Sequence, residues 1–253
     1  MSSFWNSFEK AFSNLSTRYF IFAGLIWFIW YILLRNKILY KKIQLKLPLN
    51  SDYRREIFYS LVTMIIFACV PALILGTPLR KYTMYYTDIN QHSMIWFWLA
   101  FPIMAVIHDA YFYWTHRLMH HPALYKAVHL LHHKSTNPSP WAAYAFYPTE
   151  AVIEAGVFFV FVMIMPLHKI HLSFFFLFMI IYNVYGHLGW ELYPKKFSSS
   201  YFGKWINTSV AHNQHHQYVK GNYGLYFLWW DKWMGTLRED YVVKFEEVKN
   251  RVA

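Results

Sequence analysis

Residues 17–34, TRYFIFAGLIWFIWYILL, decide the fold because the stretch is long and contains one charged residue, Arg18. As an α-helix it would extend about 27 Å at 1.5 Å per residue, close to the thickness of the hydrocarbon core of a bilayer. We therefore predict a membrane-spanning helix here. For residues 1–253 as a single domain, we predict an all-α integral membrane helical bundle.

The composition also favours a membrane protein. Of the 253 residues, 57% are hydrophobic and 15% are charged, which is more apolar than an ordinary soluble domain. The formal net charge of +11 suits an anionic membrane face or an acidic partner protein, and the hydrophobicity argues against nucleic acid as a partner. The single cysteine, Cys69, excludes a disulfide within the chain and a cysteine-based metal site.

Further apolar runs extend the prediction along the chain. Residues 57–75 and 94–114 predict a second and a third span, and residues 151–187 predict a helical hairpin that enters and leaves on the same side. The positive-inside rule places the loop after the first span in the cytoplasm. Its basic residues are Arg35, Lys37, Lys41, Lys42, Lys46, Arg54 and Arg55. Residues 115–150 and 188–253 then form a histidine-rich cap on the cytoplasmic side.

The spacing of the histidines indicates metal binding in this cap. HRLMH (116–120) places two histidines on one helical face, while HLLHH (129–133) and HNQHH (212–216) each place three there. Neutral imidazole is the commonest protein metal ligand, and one zinc ion takes only three or four protein ligands. The number of histidines therefore indicates two metal ions. Zinc, copper, iron and nickel all suit imidazole, so spacing does not identify the element.

Three segments resemble the membrane-bound fatty acid hydroxylase and sterol desaturase superfamily. They are HDAYFYWTHRLMHHPALYKAVHLLHHKSTNPSPW (108–141), HLGWELYP (187–194) and HNQHHQYVKGNYGLYFLWWDKWMGT (212–236). Together they define a family-like catalytic region, residues 108–236. The resemblance implies a non-haem centre of two iron ions on the cytoplasmic side of a helical bundle. It also implies dioxygen as co-substrate and attack on an unactivated C–H bond of a lipid.

The resemblance also implies which residues serve the centre. The expected metal ligands are His116, His120, His129, His132, His133, His187, His212, His215 and His216. His108 and Asn183 are additional candidates, because His108 precedes the first box and Asn183 stands where some members have a histidine. Side chains that orient imidazoles by hydrogen bonds are a common need at metal sites. Candidates for that role are Asp109, Arg117, Glu191 and Asp231, with Glu150 and Glu154 considered alongside them.

The expected activity is oxygen-dependent hydroxylation of an acyl chain, a sterol or a related lipid. Desaturation at the same site is the alternative, since the outcome depends on how the substrate carbon is placed. The sequence contains no glycine-rich dinucleotide fingerprint and no cysteine-rich redox module, so we expect a separate electron-donor protein, docked by the basic cytoplasmic loops. A rival of another class is a non-enzymatic membrane metal-binding or transport protein, which would place ionisable residues midway through the spans. A zinc-dependent membrane hydrolase is a further rival.

Overall fold

The computed structural model describes residues 3–252, which form long helices capped at one end by short ones. The α-helices are α1 (Phe4–Trp27), α2 (Arg35–Ile38), α3 (Asn50–Leu75), α4 (Met94–Met119), α5 (Pro122–Val128), α6 (Leu130–His133), α7 (Pro148–Ile164), α8 (Lys169–Gly186), α9 (Ser209–Tyr218), α10 (Trp229–Trp233) and α11 (Tyr241–Asn250). The 3₁₀ turns are Leu39–Lys41, Pro78–Tyr82, Ile89–Gln91, Pro140–Tyr144, Phe197–Ser199 and Gly203–Trp205. Strands β1 (Tyr85–Tyr86) and β2 (Leu167–His168) form a small parallel sheet. The predicted all-α class is confirmed.

Four helical segments are long and apolar enough to cross a membrane. They are Phe4–Leu33, Asn50–Leu75, Met94–Met119 and Lys169–Gly186. The first is α1 continued by a π-helical turn, Phe28–Leu33. Large apolar side chains on the outer surface of the bundle, such as Ile95 and Trp98, are 74% and 66% exposed, as expected where lipid rather than water surrounds a protein. The prediction of an integral membrane bundle is confirmed.

Helix α1 begins well before the predicted span at 17–34. Ser3 caps it, since its side chain accepts a hydrogen bond from the main-chain N–H of Asn6. The rings of Phe4, Phe8 and Phe12 then stack one turn apart, with centroid separations of 6.3 and 5.9 Å. These contacts between residues four apart stabilise a helical start in a segment whose polar residues hide it from a search for apolar runs.

Helices α7 and α8 form the predicted hairpin, and its tip lies at the end of the bundle where α4 begins. Its tip pairs with the connection between α3 and α4, where Tyr85 lies opposite Leu167 and Tyr86 opposite His168. Nearby, His171 Nε2 donates a hydrogen bond to the carbonyl of Phe97 at 3.0 Å. Because α4 starts at this end and runs toward the histidines, the hairpin, with helices of 17 and 18 residues, lies along most of the 26 residues of α4.

The basic loop between α1 and α3 lies at the opposite end, against the segment that follows α6. The buried Lys42 donates from Nζ to Asn137 Oδ1 at 2.6 Å, and Asn137 Nδ2 donates to the carbonyl of Lys46 at 2.7 Å. Arg55 donates to Ser135 Oγ at 3.1 Å. These bonds fix the basic loop to the chain immediately after the histidines of α6.

Candidate metal centre

Nine histidines from separate parts of the chain meet in two groups at one end of the bundle. The first histidine group is His116, His120, His129, His133 and His215, and the second is His132, His187, His212 and His216. Within each group the candidate ligand atoms all lie within 4.8 Å of one another, and every member except the partly exposed His120 is buried. These are the nine residues for which the sequence predicts a ligand role.

The two groups are interleaved along the chain, so that one helix serves both. In α9, His212 and His216 belong to the second group and His215 to the first. The segment around α6 does the reverse, because His129 and His133 join the first group and His132 the second. Neighbouring residues on a helix point about 100° apart. The two groups must therefore lie side by side, with α6 and α9 between them.

The ring nitrogens within each group are spaced like ligands of one ion. In the first group the Nε2 separations are 3.0 Å for His116–His129, 3.1 Å for His129–His133 and 3.2 Å for His120–His133. In the second they are 3.0 Å for His187–His212, 3.1 Å for His187–His216 and 3.2 Å for His212–His216. Two imidazole nitrogens about 2.1 Å from one metal ion and about 90° apart would lie about 3.0 Å from each other. The Nε2 atoms of each group are therefore spaced to bind one metal ion.

The opposite nitrogens of several rings are anchored to main-chain carbonyls. The Nδ1 donors are His116 to Tyr223 at 2.9 Å, His187 to Asn183 at 2.8 Å, His215 to Gly221 at 2.7 Å and His216 to Ser135 at 3.0 Å. A hydrogen bond from Nδ1 sets the tautomer, so that the lone pair of Nε2 points into the group. The buried Nε2 of His215 has no hydrogen-bond partner among the described residues, as expected for an atom meant to bind a metal.

Glu150 is the carboxylate that contacts a histidine of the two groups. It lies in the first turn of α7, and its Oε1 is 2.7 Å from Nδ1 of His129, with both side chains almost fully buried. A carboxylate in this position orients the ring and raises the basicity of its other nitrogen. Among the carboxylates weighed from the sequence, Glu150 is thus the one placed to act on a ligand directly.

Burial keeps these imidazoles neutral. It lowers the pKa of His187 to about 4. It also holds the pKa values of seven further histidines well below the ordinary value, and repulsion between neighbouring imidazolium rings contributes less. These seven are His120, His129, His132, His133, His212, His215 and His216. Since a metal binds the neutral ring, the groups are ready to bind at physiological pH.

His108 and Asn183, the two additional ligand candidates, lie outside both groups. His108 is two helical turns before His116, and its Nδ1 contacts the hydroxyl of Tyr226 at 3.0 Å. The side chain of Asn183 donates to the carbonyl of Ala143 at 2.9 Å, and the main-chain carbonyl of Asn183 accepts from His187. Asn183 therefore positions a histidine through its main chain, and neither side chain is placed to complete a group.

Asp231 and Glu191 act on the groups through the main chain, and neither contacts any of the nine rings. Asp231 accepts hydrogen bonds from the N–H of Tyr223 and Gly224 at 2.9 and 2.8 Å, and so holds the carbonyl that anchors His116. Glu191 accepts from the N–H of Val210 at 3.1 Å and thereby secures the first turn of α9. The expectation that these carboxylates bond to imidazoles directly is corrected by this geometry.

Asp109 and Arg117 are further from the expected role. Asp109 accepts from the N–H of Tyr226 and Phe227 and from the indole of Trp229, at 2.8, 3.1 and 2.7 Å. It therefore fixes the loop before α10. Arg117 is exposed and donates to the hydroxyl of Tyr113 at 3.3 Å, since it points about 100° away from His116 around α4. Among the described contacts, neither residue orients an imidazole.

Comparison with known proteins shows which family the chain resembles. The model of the fatty acid hydroxylase family matches residues 101–236. A Delta(7)-sterol 5(6)-desaturase of Gibberella zeae is 35% identical over 63% of this chain and 48% of its own length. Another, of Aspergillus fumigatus, is 29% identical over 92% of this chain and 65% of its own length. Lathosterol oxidase of Rattus norvegicus is 28% identical over 75% of this chain and 62% of its own length.

The matched region contains both histidine groups, and it covers more than half of the chain. The chain spans about half to two thirds of the length of these relatives. No solved structure matches the chain. The resemblance to fatty acid hydroxylases and sterol desaturases is confirmed, and the chain belongs to the fatty acid hydroxylase family.

Proposed function

We propose that the protein is a membrane oxidoreductase that uses dioxygen to introduce a double bond into a sterol. The two groups of converging imidazoles at one end of the bundle are the observation that carries this proposal. The sequence favours hydroxylation, with desaturation as the alternative. Relatives whose names describe sterol 5(6)-desaturases and a lathosterol oxidase favour the alternative, and lipid hydroxylation, the family's own description, remains the second candidate.

The residues of this chain bind, orient and shield the reacting groups. The first and second histidine groups would each hold one iron ion, and the bound pair would supply the activation of dioxygen and the removal of hydrogen from carbon. The carbonyls of Tyr223, Asn183 and Gly221 and the carboxylate of Glu150 hold the rings in place. The near-complete burial of the groups excludes water from the reaction.

A cavity within the bundle supports a lipid substrate. It is partly open to the surface and begins beside Asn183, one turn before His187. Most of its wall is apolar, with aromatic side chains that include Phe112, Phe146 and Phe158. A pocket of this apolar character suits a lipid such as a sterol.

We place the histidine end on the cytoplasmic side. The basic loop packs against the histidine segment, where Gln44 also donates to the carbonyl of Thr136 at 2.8 Å, and lysines and arginines concentrate in cytoplasmic loops.

Desaturation and hydroxylation each consume one dioxygen with two electrons and two protons. Desaturation releases two waters, whereas hydroxylation releases one and leaves an oxygen atom on the lipid. A separate donor protein supplies the electrons, attracted by this basic face.

The rival functions fit the site less well. A transport protein would distribute its metal-binding side chains along a path across the membrane, whereas both histidine groups lie at one end of the described bundle. A zinc hydrolase needs three or four protein ligands, and nine converge here. A fixed centre of two metal ions accounts for all nine.

Lipid analysis tests the proposed reaction. Cells that make no sterol would express the chain with an electron-donor system and receive a Delta(7)-sterol. We expect mass spectrometry to find a product lighter by two hydrogens, absent from matched cells that express His132→Ala, because His132 belongs to the second group. A product heavier by one oxygen would favour the second candidate. An unchanged lipid extract from cells containing iron-loaded protein would contradict both.

A further inference from the structure

The cavity described above extends from the histidine end toward the middle of the bundle. Along α8 its wall runs from Asn183 back to Ser173, a distance of about 15 Å at 1.5 Å per residue. Helices α1, α3, α4 and α7 supply the other walls. The cavity therefore has two distinct ends, one near the histidine groups and one near the N-terminal half of α1.

Glu154 stands out in this mainly apolar wall. It lines the cavity from α7 and is 8% exposed, yet its carboxylate has no hydrogen-bond or ion-pair partner within residues 3–252. An unpaired carboxyl group inside a membrane bundle is costly. An ionisable residue in such a place therefore indicates a polar ligand group that completes its hydrogen bonding.

His108 adds a second polar atom to the same wall. Its ring is 2% exposed, and the hydroxyl of Tyr226 contacts Nδ1 at 3.0 Å. That contact leaves Nε2 without a partner among the described residues. His108 lies outside both histidine groups, so its free nitrogen is available to a ligand in the cavity.

The position of Glu154 suits a hydroxyl group close to the reacting carbons. Glu154 follows Glu150 by one helical turn, about 6 Å along α7, and Glu150 contacts His129 of the first histidine group. In a Delta(7)-sterol the hydroxyl-bearing carbon is two bonds from the 5(6) bond. An anchor for that hydroxyl must therefore lie near the histidine end of the cavity.

We propose that Glu154, supported by His108, binds the hydroxyl group of the sterol and orients the ring system with its hydroxyl end toward the histidine groups. The carboxyl group accepts a hydrogen bond from the hydroxyl, and the hydrocarbon tail extends toward α1. The inference rests on the proposed function, since it assigns the substrate recognition of that same site. Glu154 is thus a positioning and specificity-determining residue, distinct from the metal-binding groups.

The far end of the cavity contains polar side chains of its own, Asn14, Arg18 and Ser173. Arg18 there donates to the carbonyl and the hydroxyl of Ser173 at 2.9 and 2.7 Å, and so joins α1 to α8. A fatty acid would place its carboxylate at this arginine and leave Glu154 facing hydrocarbon. The two lipid classes therefore make opposite predictions for Arg18 and Glu154.

Binding to the purified protein in lipid nanodiscs tests the inference. The probes are a radiolabelled Delta(7)-sterol and the same sterol without its hydroxyl group. We expect the wild-type protein to prefer the hydroxylated probe by at least about 10-fold. Glu154→Ala should lose that preference while binding the deoxy probe as before, and Glu154→Gln, which keeps an acceptor, should retain part of it. Val152→Ala, on the outer face of the same helix and 59% exposed, should behave as wild type.

Equal affinity of the wild-type protein for the two probes would overturn the inference, and so would an unchanged preference in Glu154→Ala. Displacement of the sterol by a fatty acid, lost in Arg18→Gln, would overturn it in favour of the opposite orientation. The assay needs neither metal nor turnover. A protein that shows the hydroxyl preference but no oxygen-dependent reaction defeats the proposed function alone, and an active enzyme without the preference defeats this inference alone.

Discussion

Replacing His187 with alanine is expected to lower sterol turnover by more than about 100-fold, because mutation of residues that merely orient ligands already costs about 10- to 100-fold. The Nε2 of His187 lies at the middle of the second histidine group, 3.0 Å from that of His212, 3.1 Å from that of His216 and 3.5 Å from that of His132. The group has four members, so the variant retains three. The readouts are product formation and metal content per chain.

His121→Ala is the matched control for this variant. His121 is next to His120 but belongs to neither histidine group, and its side chain caps α5 by accepting from the N–H of Ala123. We expect this variant to keep its metal and most of its turnover. If His187→Ala turned over sterol as fast as His121→Ala, the second group would not be part of the reaction centre.

Replacing Asp231 with alanine is expected to lower the free energy of unfolding by about 2–6 kcal/mol, because it leaves two buried N–H groups unpaired at about 1–3 kcal/mol each. Those groups belong to Tyr223 and Gly224, and the hydroxyl of Thr236 also donates to Asp231 at 2.7 Å. The same loop presents the carbonyl that anchors His116. Denaturant unfolding in detergent, followed by tryptophan fluorescence, measures the effect.

Asp240→Ala makes the same chemical change at the surface. The Asp240 side chain is 49% exposed and pairs with Arg238, and an exposed ion pair contributes about 0–1 kcal/mol. We expect this control to unfold nearly as the wild type does. An Asp231→Ala protein as stable as Asp240→Ala would show that the carboxylate does not support the loop beneath His116.

The nine histidines that meet at one end of the bundle could be predicted from the sequence, whereas their division between two groups could not. Spacing at i, i+3 and i+4 puts His129, His132 and His133 on one helical face. It does not reveal that His132 turns toward His187 while its neighbours turn toward His116. That division depends on where α6 passes between the ends of α4 and α8, which is a property of tertiary packing.

Residues that support the ligands were harder to predict than the ligands themselves. Many carboxylates in the chain are candidates, and only the approach of α7 to His129 selects Glu150. Asn183 was considered for its side chain, yet its main-chain carbonyl holds His187. Main-chain groups occur at every position, so residue type carries no signal for this role.

The membrane-spanning helices were predictable where hydrophobicity alone determines them. The runs at 57–75 and 94–114 lie within Asn50–Leu75 and Met94–Met119. The start of α1 and the reach of the hairpin depend instead on ring stacking from Phe4 and on pairing between Tyr85 and Leu167. Such contacts between particular residues do not alter the average hydropathy of a segment.

Metal analysis of anaerobically purified protein tests the central claim most directly, because the proposed reaction depends on one iron ion in each histidine group. The account predicts about two iron ions per chain, together with sterol turnover that requires dioxygen. A single zinc ion per chain, with no oxygen-dependent turnover after iron is supplied, would contradict it.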